Sequence, residues 1–376
     1  MSTYEDELNP TPAEYYMQEC FELAKRALGR TSPNPAVGAI VLDKNAVPVG
    51  KGYHAKAGQE HAEVLALREA GNLASGGTLI VNFEPCCHTG KTPPCTDLII
   101  KSQIQEVIFS NYDPNPLVSG NGEKTLLKNN IKVISRILSS SGEEVNKFFF
   151  KWIKTGMPWI TLKQAQTLDG KVALRNNGSK WITDDNARRE VHALRNIYDA
   201  VLVGASTVIL DDPKLTVRDI EGGRNPQKII LDVELITKPT SKVYINSNSV
   251  ILATKQGHDK TKLNEYYNVC ENLTLIELPE EKNKRINLNK LFLELGKKEI
   301  LSVFVEAGPN LAGNLLLSGL MDEYILFISP KVFGDPEAIH SVITGELTEI
   351  EKSFKFKLFD HKAIGNDLML SLRPIS

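Results

Sequence analysis

No stretch of this 376-residue chain approaches the run of about 18 apolar residues that crosses a membrane. The opening residues, MSTYEDELNP, have neither the basic flank nor the apolar centre of a secretion signal. Both absences favour a cytoplasmic protein with no membrane partner. No block of lysine and arginine stands out, the net charge is −2, and aromatic residues make up only 7%. Nucleic-acid binders carry a basic face, and binders of single strands add aromatic stacking platforms. Nucleic acid is therefore not expected as a partner. Cysteine is scarce and odd in number, at five. Thiols stay reduced in the cytoplasm, so the three that crowd into EPCCHTGKTPPC (84–95) suggest metal or catalysis rather than disulfides. Cys20 and Cys270 stand alone and are expected to be buried small hydrophobes. Repeats and low-complexity tracts are missing as well.

What is present is an ordinary globular composition, 41% hydrophobic and 24% charged, in a chain long enough for two domains. The first half alternates helix and strand. PAEYYMQECFELAKRAL (12–28) places Met17, Cys20, Phe21, Ala24 and Leu28 at helical spacing. Pro12 suits its first turn and Gly29 its C-terminal cap. AVGAIVL (36–42) predicts a buried strand, folded back on VPVGKGY by a turn at 43–45. HAEVLALREA (61–70) predicts a helix ended by Gly71, and CTDLIIKS (95–102) a short one. TLIVNFE (78–84), EVIFS (106–110) and IKVIS (131–135) predict strands. Together they make a three-layer α/β domain over 1–150. FFFKWIKTGMP (148–158) marks a packed junction, with Gly156 and Pro158 as breakers. Beyond it, 157–376 carries apolar β-rich runs from WITLKQAQ to ILSVFVEAG, which predict a second α/β domain with a largely parallel sheet.

The chemistry concentrates in two short motifs. His61-Ala-Glu63 opens a helix, and Pro85-Cys86 follows an apolar strand about 25 residues later. Zinc deaminases ligate their metal with a histidine and two cysteines, and a glutamate two residues after the histidine moves protons without ligating. Three protein ligands leave zinc an open position. The usual partner spacing is Cys-x-x-Cys, yet here eight residues separate Cys86 from Cys95. Cys87 is adjacent to Cys86, and neighbours rarely both close on one zinc. The ligands are therefore read as His61, Cys86 and Cys95, with Glu63 as acid/base and Cys87 as a bystander. Cys95 follows two prolines and opens a helix, whose dipole is expected to lower its thiol pKa.

SPNPAVGAIV (32–41), HAKAGQEHAE (54–63), EPCCHTGKTPPC (84–95) and DPNP (113–116) together resemble the deaminase half of the bifunctional riboflavin-biosynthesis deaminase/reductases. LKQAQTLDGKVAL (162–174), SKWIT (179–183), ARREVHALR (187–195), VGASTVILDDPKLTVR (203–218) and FVEAGPNLAGNLL (304–316) resemble the reductase half. The resemblance covers roughly 12–375. It implies a cytidine-deaminase-like domain with Zn2+, followed by a dihydrofolate-reductase-like domain with NADPH. On it, Asn34, His54, His88, Lys91, Asp113 and Asn115 are expected to contact the deaminase substrate. Ala165, Trp181, Thr207 and Asp211 are expected to line the cofactor site. Gly308, Pro309, Asn310, Leu311, Ala312, Gly313 and Asn314 form the expected phosphate loop. Ser179, Arg195, Leu215, Arg218 and Glu306 are expected to hold the reductase substrate. Asp169, in Leu-Asp-Gly, is read as structural. Cys87 stands where the family often has a small polar residue.

The implied activity is hydrolytic deamination of a diaminopyrimidinone ribosylamine phosphate, then reduction of its ribosyl group to ribityl. The partner is thus a small molecule, and a homo-oligomer (dimer or tetramer) is expected. Two other readings compete. A nucleic-acid or nucleoside deaminase with a fused binding module would need a basic surface. A non-catalytic protein could keep zinc as a staple, with Cys87 or His88 as fourth ligand.

Overall fold

The computed structural model describes residues 10–87, 93–175, 181–245, 247, 249–281, 285–346 and 348–375. Its chain forms two compact units that divide between Thr155 and Gly156.

The first unit begins with helix α1, Pro12–Lys25. Thr11 and Glu14 cap it reciprocally, and Pro12 needs no partner at the first position. The helix ends earlier than the periodicity predicts: its cap is Arg26, and turns carry the chain through Gly29. Strands β1 (Gly38–Leu42) and β2 (Pro48–Tyr53) form the expected hairpin. Helix α2 (Ala62–Ala70), strand β3 (Thr78–Phe83), helix α3 (Cys95–Lys101) and strand β4 (Glu106–Asn111) follow. Helix α4 (Asn121–Lys128), the short strand β5 (Lys132–Ile134), α5 (Ser139–Val145) and α6 (Lys147–Thr155) complete the unit.

The sheet order is β2-β1-β3-β4-β5, with β3, β4 and β5 parallel. Strand alternation sends Ala39, Val41, Val81 and Phe109 to the face covered by α2 and α3. Ile40, Leu42, Ile80 and Ile108 face α1 instead. Both faces are thus dry, which gives the expected three layers. Gly52 lets α2 lie flat on β2, because a Cβ there would collide with the Ala62 carbonyl. That contact fixes the height of the first turn of α2, where His61 and Glu63 sit.

The second unit is built on a nine-stranded sheet. Its order is 273–278, 250–255, 227–231, 200–204, 302–306, 159–167, 323–329, 367–374 and 356–364. The first seven strands run parallel. The last two form an antiparallel hairpin on the edge. Ile160, Leu162, Leu202, Ile229, Val303 and Val305 anchor one core layer under the helices Leu288–Lys297 and Pro309–Ser318. Asp169 accepts from the Thr167 hydroxyl and from the backbone N–H groups of Phe333 and Gly334, so it is structural as expected. Among the described residues no helix is long and apolar enough to cross a membrane.

Candidate active sites

His61 is the N-cap of α2, yet its ring makes no capping bond. Cys86 lies three residues past β3, and Cys95 is the first residue of α3. The topology therefore brings two helix starts and one strand end to a single point. The ligand atoms of His61, Cys86 and Cys95 all lie within 4.8 Å of one another. His61 Nδ1 is 3.2 Å from Cys95 Sγ and 3.6 Å from Cys86 Sγ. Tetrahedral zinc, with bonds of about 2.3 Å to sulfur and about 2.0–2.1 Å to nitrogen, needs neighbouring ligand atoms about 3.6–3.8 Å apart. The two histidine–sulfur separations lie close to that spacing and all three atoms lie within 4.8 Å, so the donor set fits zinc.

The two thiols share their protons unequally. A hydrogen bond from the Cys95 thiol, against burial and together with His61, pulls the Cys86 thiol well below its ordinary value. Cys95 is raised, first by that bond and then by burial. The Cys95 backbone N–H donates to Cys86 Sγ at 3.3 Å, so the helix start serves the neighbouring sulfur. Glu63 is 4% exposed, and burial raises its carboxyl, with the Cys86 charge adding to the effect.

Asn34, His54, Glu63, Cys87 and Asp113 line the same cavity, of about 190 Å3. His54 Nδ1 lies 3.0 Å from the Glu60 carbonyl, and its Nε2 lies 3.4 Å from the Asn34 amide nitrogen. Burial lowers the pKa of His54, which favours the neutral ring. With Nδ1–H donating to the carbonyl, Nε2 accepts from Asn34. Asn115 is not among the lining residues. Its side-chain oxygen accepts from the Leu117 N–H, a turn contact. Cys87 lines the cavity but lies outside the ligand triangle. His88 and Lys91 fall outside the described residues.

Sequence patterns missed Glu84. Its carboxylate accepts from the N–H groups of Gly122 at 2.9 Å, Gly120 at 3.0 Å, and Asp113 and Glu123 at 3.3 Å. It therefore caps α4 from the end of a strand 36 residues earlier and ties Cys86 to the Asp113 loop. The available signal was an acid closing an apolar strand, 7% exposed, which must find donors.

In the second unit, Arg195 and Glu306 were both expected to face the substrate. They face each other. Arg195 Nε lies 2.5 Å from Glu306 Oε1, and Nη2 lies 2.9 Å from Oε2. Arg195 Nη1 also donates to the Thr216 carbonyl. Burial alone would raise Glu306, but the charge and hydrogen bonds of Arg195, with Lys163 and His192, hold it at about 2. Lys163 is the second residue that sequence patterns missed. Desolvation lowers its pKa, Glu306 acts to raise it and Arg195 to lower it. A lysine in mid-strand was its only trace.

Thr207 and Asp211 stand one turn apart on the helix Ala205–Asp211. Desolvation and the Glu306 charge raise the Asp211 carboxyl. Ala165 lies on the neighbouring strand, Trp159–Thr167. Trp181 has φ 71 and is 61% exposed, with the Arg188 guanidinium 4.1 Å above its ring. Such a backbone is an outlier for a bulky residue and marks functional segments. Arg218 Nη2 is 3.2 Å from His192 Nε2, and both line a crevice of about 500 Å3 with Trp181 and Arg188. Leu215 is 2% exposed, so its side chain belongs to the core. Ser179 lies outside the described residues.

The expected phosphate loop divides in the same way. Gly308 is the N-cap of the helix Pro309–Ser318 and has no side-chain cap, so the first N–H groups are open to an anion. A Cβ at Gly308 would meet nothing within 4 Å. That open helix start fits the diphosphate of NADPH. Asn310 is exposed and Asn314 half-buried, whereas Leu311, Ala312 and Gly313 point into the core. Gly313 is small for packing, because a Cβ there would collide with the Ile343 carbonyl.

Comparison with known proteins covers both units. Residues 158–370 match the RibD C-terminal domain, and residues 10–111 match the cytidine and deoxycytidylate deaminase zinc-binding region. Riboflavin biosynthesis protein RibD of Aquifex aeolicus is 40% identical over 94% of this chain and 96% of its own length. The Escherichia coli protein of the same name is 39% identical over 96% and 98%. The solved structure of Acinetobacter baumannii RibD (form 1) superposes with a TM-score of 0.88 at 36% identity, covering 97% of this chain and 99% of that one. A Thermotoga maritima structure described as a diaminohydroxyphosphoribosylaminopyrimidine deaminase/5-amino-6-(5-phosphoribosylamino)uracil reductase gives 0.84, with the same identity and coverage.

Proposed function

The chain belongs to the RibD family of bifunctional riboflavin-biosynthesis enzymes, and on that footing we propose how its own residues divide the two reactions. The first unit is the zinc deaminase and the second the NADPH-dependent reductase. The substrate is the 2,5-diamino-6-(5-phosphoribosylamino)pyrimidin-4-one, whose 2-amino group is exchanged for oxygen with release of ammonia. The ribosyl arm of the product is then reduced to ribityl.

In the deaminase, His61, Cys86 and Cys95 hold the metal. Zinc bound there acts as a Lewis acid and brings the pKa of water towards neutrality. Glu63 takes one proton of the attacking water and delivers it to the ring nitrogen, then takes the second from the new C2 hydroxyl and gives it to the departing amine as the carbonyl forms. Asn34 and His54 form a neutral polar edge that orients the ring, and Asp113 closes the cavity opposite. The observation that carries this reading is the ligand triangle with a buried glutamate opening onto the same cavity. A cavity of about 190 Å3 suits one pyrimidine ring.

In the reductase, the open N–H groups after Gly308 and the Thr207–Asp211 face cradle the cofactor, which supplies the hydride to C1′ of the sugar. Arg218 supplies a cation for the substrate phosphate. Arg195 acts by holding Glu306 ionised and in place beside Lys163, at the strand ends where open α/β sheets bind ligands. Five free cysteines suit a reducing cytoplasm. A dimer or tetramer is the expected assembly, which sedimentation will measure. The defining experiment supplies the diamino substrate with and without NADPH and weighs the products. The first step exchanges NH2 for OH, and the second adds two hydrogens only with NADPH. No ammonia from the intact zinc enzyme would overturn the reading.

A further inference from the structure

Trp181 combines two features that rarely meet in one residue. Its backbone is left-handed, at φ 71, and 61% of its surface is exposed. A bulky residue keeps such a conformation only where its neighbours impose it. The Arg188 guanidinium, on the first turn of the helix Asp185–Ile197, covers one face of the indole. That guanidinium also donates to the Thr183 carbonyl at 3.1 Å and pairs with Asp185. The Asp184 N–H donates to the Asp367 carboxylate at 2.7 Å.

The remaining hold comes from a distant part of the chain. Lys331 Nζ donates to the backbone carbonyl of Trp181 at 3.0 Å and to that of Ile182 at 2.7 Å. Lys331 is exposed, yet its ammonium bridges two successive carbonyls instead of extending into water. Its own backbone is fixed in turn. The Leu168 N–H donates to the Lys331 carbonyl at 2.8 Å, and the N–H groups of Phe333 and Gly334 donate to Asp169. Asp169 thus anchors the segment from which Lys331 reaches. The Leu-Asp-Gly turn follows the strand Trp159–Thr167, which carries Lys163 and Ala165. One run of contacts therefore leads from that strand through Asp169 and Lys331 to Trp181, a wall of the crevice that holds Arg218.

We propose that Lys331 is a positioning residue of the reductase. It holds Trp181 in its left-handed conformation, so that the indole presents its uncovered face to the cofactor while Arg188 backs the other. The inference rests on Trp181 lining the cofactor site. It gives Lys331 a role in NADPH affinity and none in hydride transfer.

The test uses the full-length protein and measures NADPH binding by calorimetry, beside the kinetics of reduction. Lys331 is exposed, so K331M should keep the urea midpoint of the wild type. K331M is expected to weaken NADPH binding at least fivefold, with KM for NADPH rising in step and the kcat of reduction kept within twofold. K331R is expected to restore most of the affinity, because a guanidinium can also serve two carbonyls. W181A should weaken NADPH at least as much as K331M. Adding K331M to W181A should then change nothing further, because Lys331 acts through the indole. If W181A weakens NADPH while K331M binds it within twofold of the wild type, the positioning role is overturned. Fully additive losses in the double variant overturn it as well. If W181A itself binds NADPH like the wild type, the placing of Trp181 in the cofactor site falls, and the role of Lys331 with it.

Discussion

Arg195 and Glu306, 111 residues apart in the chain, meet as a bidentate pair with 12% and 14% of their side-chain surfaces exposed. The pair joins the last turn of a helix to the end of a central strand. Removing one partner of a buried pair costs about 3–5 kcal/mol, because the other charge is stranded. Arg195→Ala is therefore expected to destabilise the reductase unit by about that amount, and substrate affinity should fall with it. Arg195→Lys keeps the charge but loses the fork. Urea unfolding will check this, and an R195A unit as stable as the wild type would contradict it.

The same pair makes stability depend on acid. Glu306 is held at about 2 against an ordinary 4.5. A carboxyl depressed by folding contributes fully above its unfolded pKa and loses that contribution as pH falls towards its folded pKa. The loss thus runs from about pH 4.5 down to about 2. Over the upper part of that window, pH 4.5 to 3, the wild type should lose stability more steeply than Glu306→Gln. Equal slopes in urea midpoints at the two pH values would show that the depressed carboxyl is not the cause.

Glu63→Gln preserves shape but cannot take a proton. Loss of a general acid/base costs on the order of 10²–10⁴ in rate. Ammonia release should fall by that factor while zinc content stays at the wild-type value. Unchanged release would remove Glu63 from the chemistry.

The metal triangle predicts which cysteines matter. Cys86→Ser and Cys95→Ser should each lose zinc on dialysis, because an oxygen replaces a thiolate. Cys87→Ser should keep it. Retention in all three, measured by metal analysis, would place the metal elsewhere.

Two glycines of one loop should part company. Gly313→Ala pushes a methyl into the Ile343 carbonyl and should lower thermal stability. Gly308→Ala meets nothing in the protein and has an ordinary φ of −70, so folding should be unaffected. If the cofactor diphosphate approaches there, the KM for NADPH rises instead. Identical behaviour of the two variants would argue against that division.

Much of the deaminase site was legible because its chemistry is written in short motifs. Histidine and glutamate two residues apart at a helix start, and a proline–cysteine after an apolar strand, are local facts. The parallel sheet was legible for the same reason, from apolar runs of strand length. Glu84, Lys163 and the Arg195–Glu306 pair were not, because their meaning lies in partners far along the chain. Lys163 becomes conspicuous only when the sheet sets it beside Glu306. Gly313 carries a meaning the motif did not show: within the helix after the strand it admits another stretch of backbone, at the Ile343 carbonyl. Helix α1 stopped short of Leu28 because the chain turns at Arg26, which amphipathic spacing does not report.

The tether made by Glu84 bears on how the deaminase centre could be moved. Its carboxylate binds the strand end that carries Cys86 to four backbone N–H groups between Asp113 and Glu123. A designer who grafts only the histidine, the glutamate and the two cysteines onto another scaffold would transplant the ligands without their mooring. The smallest portable piece is the strand end together with that loop. Inheritance faces the same constraint: a recombination crossover between residues 84 and 123 would separate two halves of one clasp.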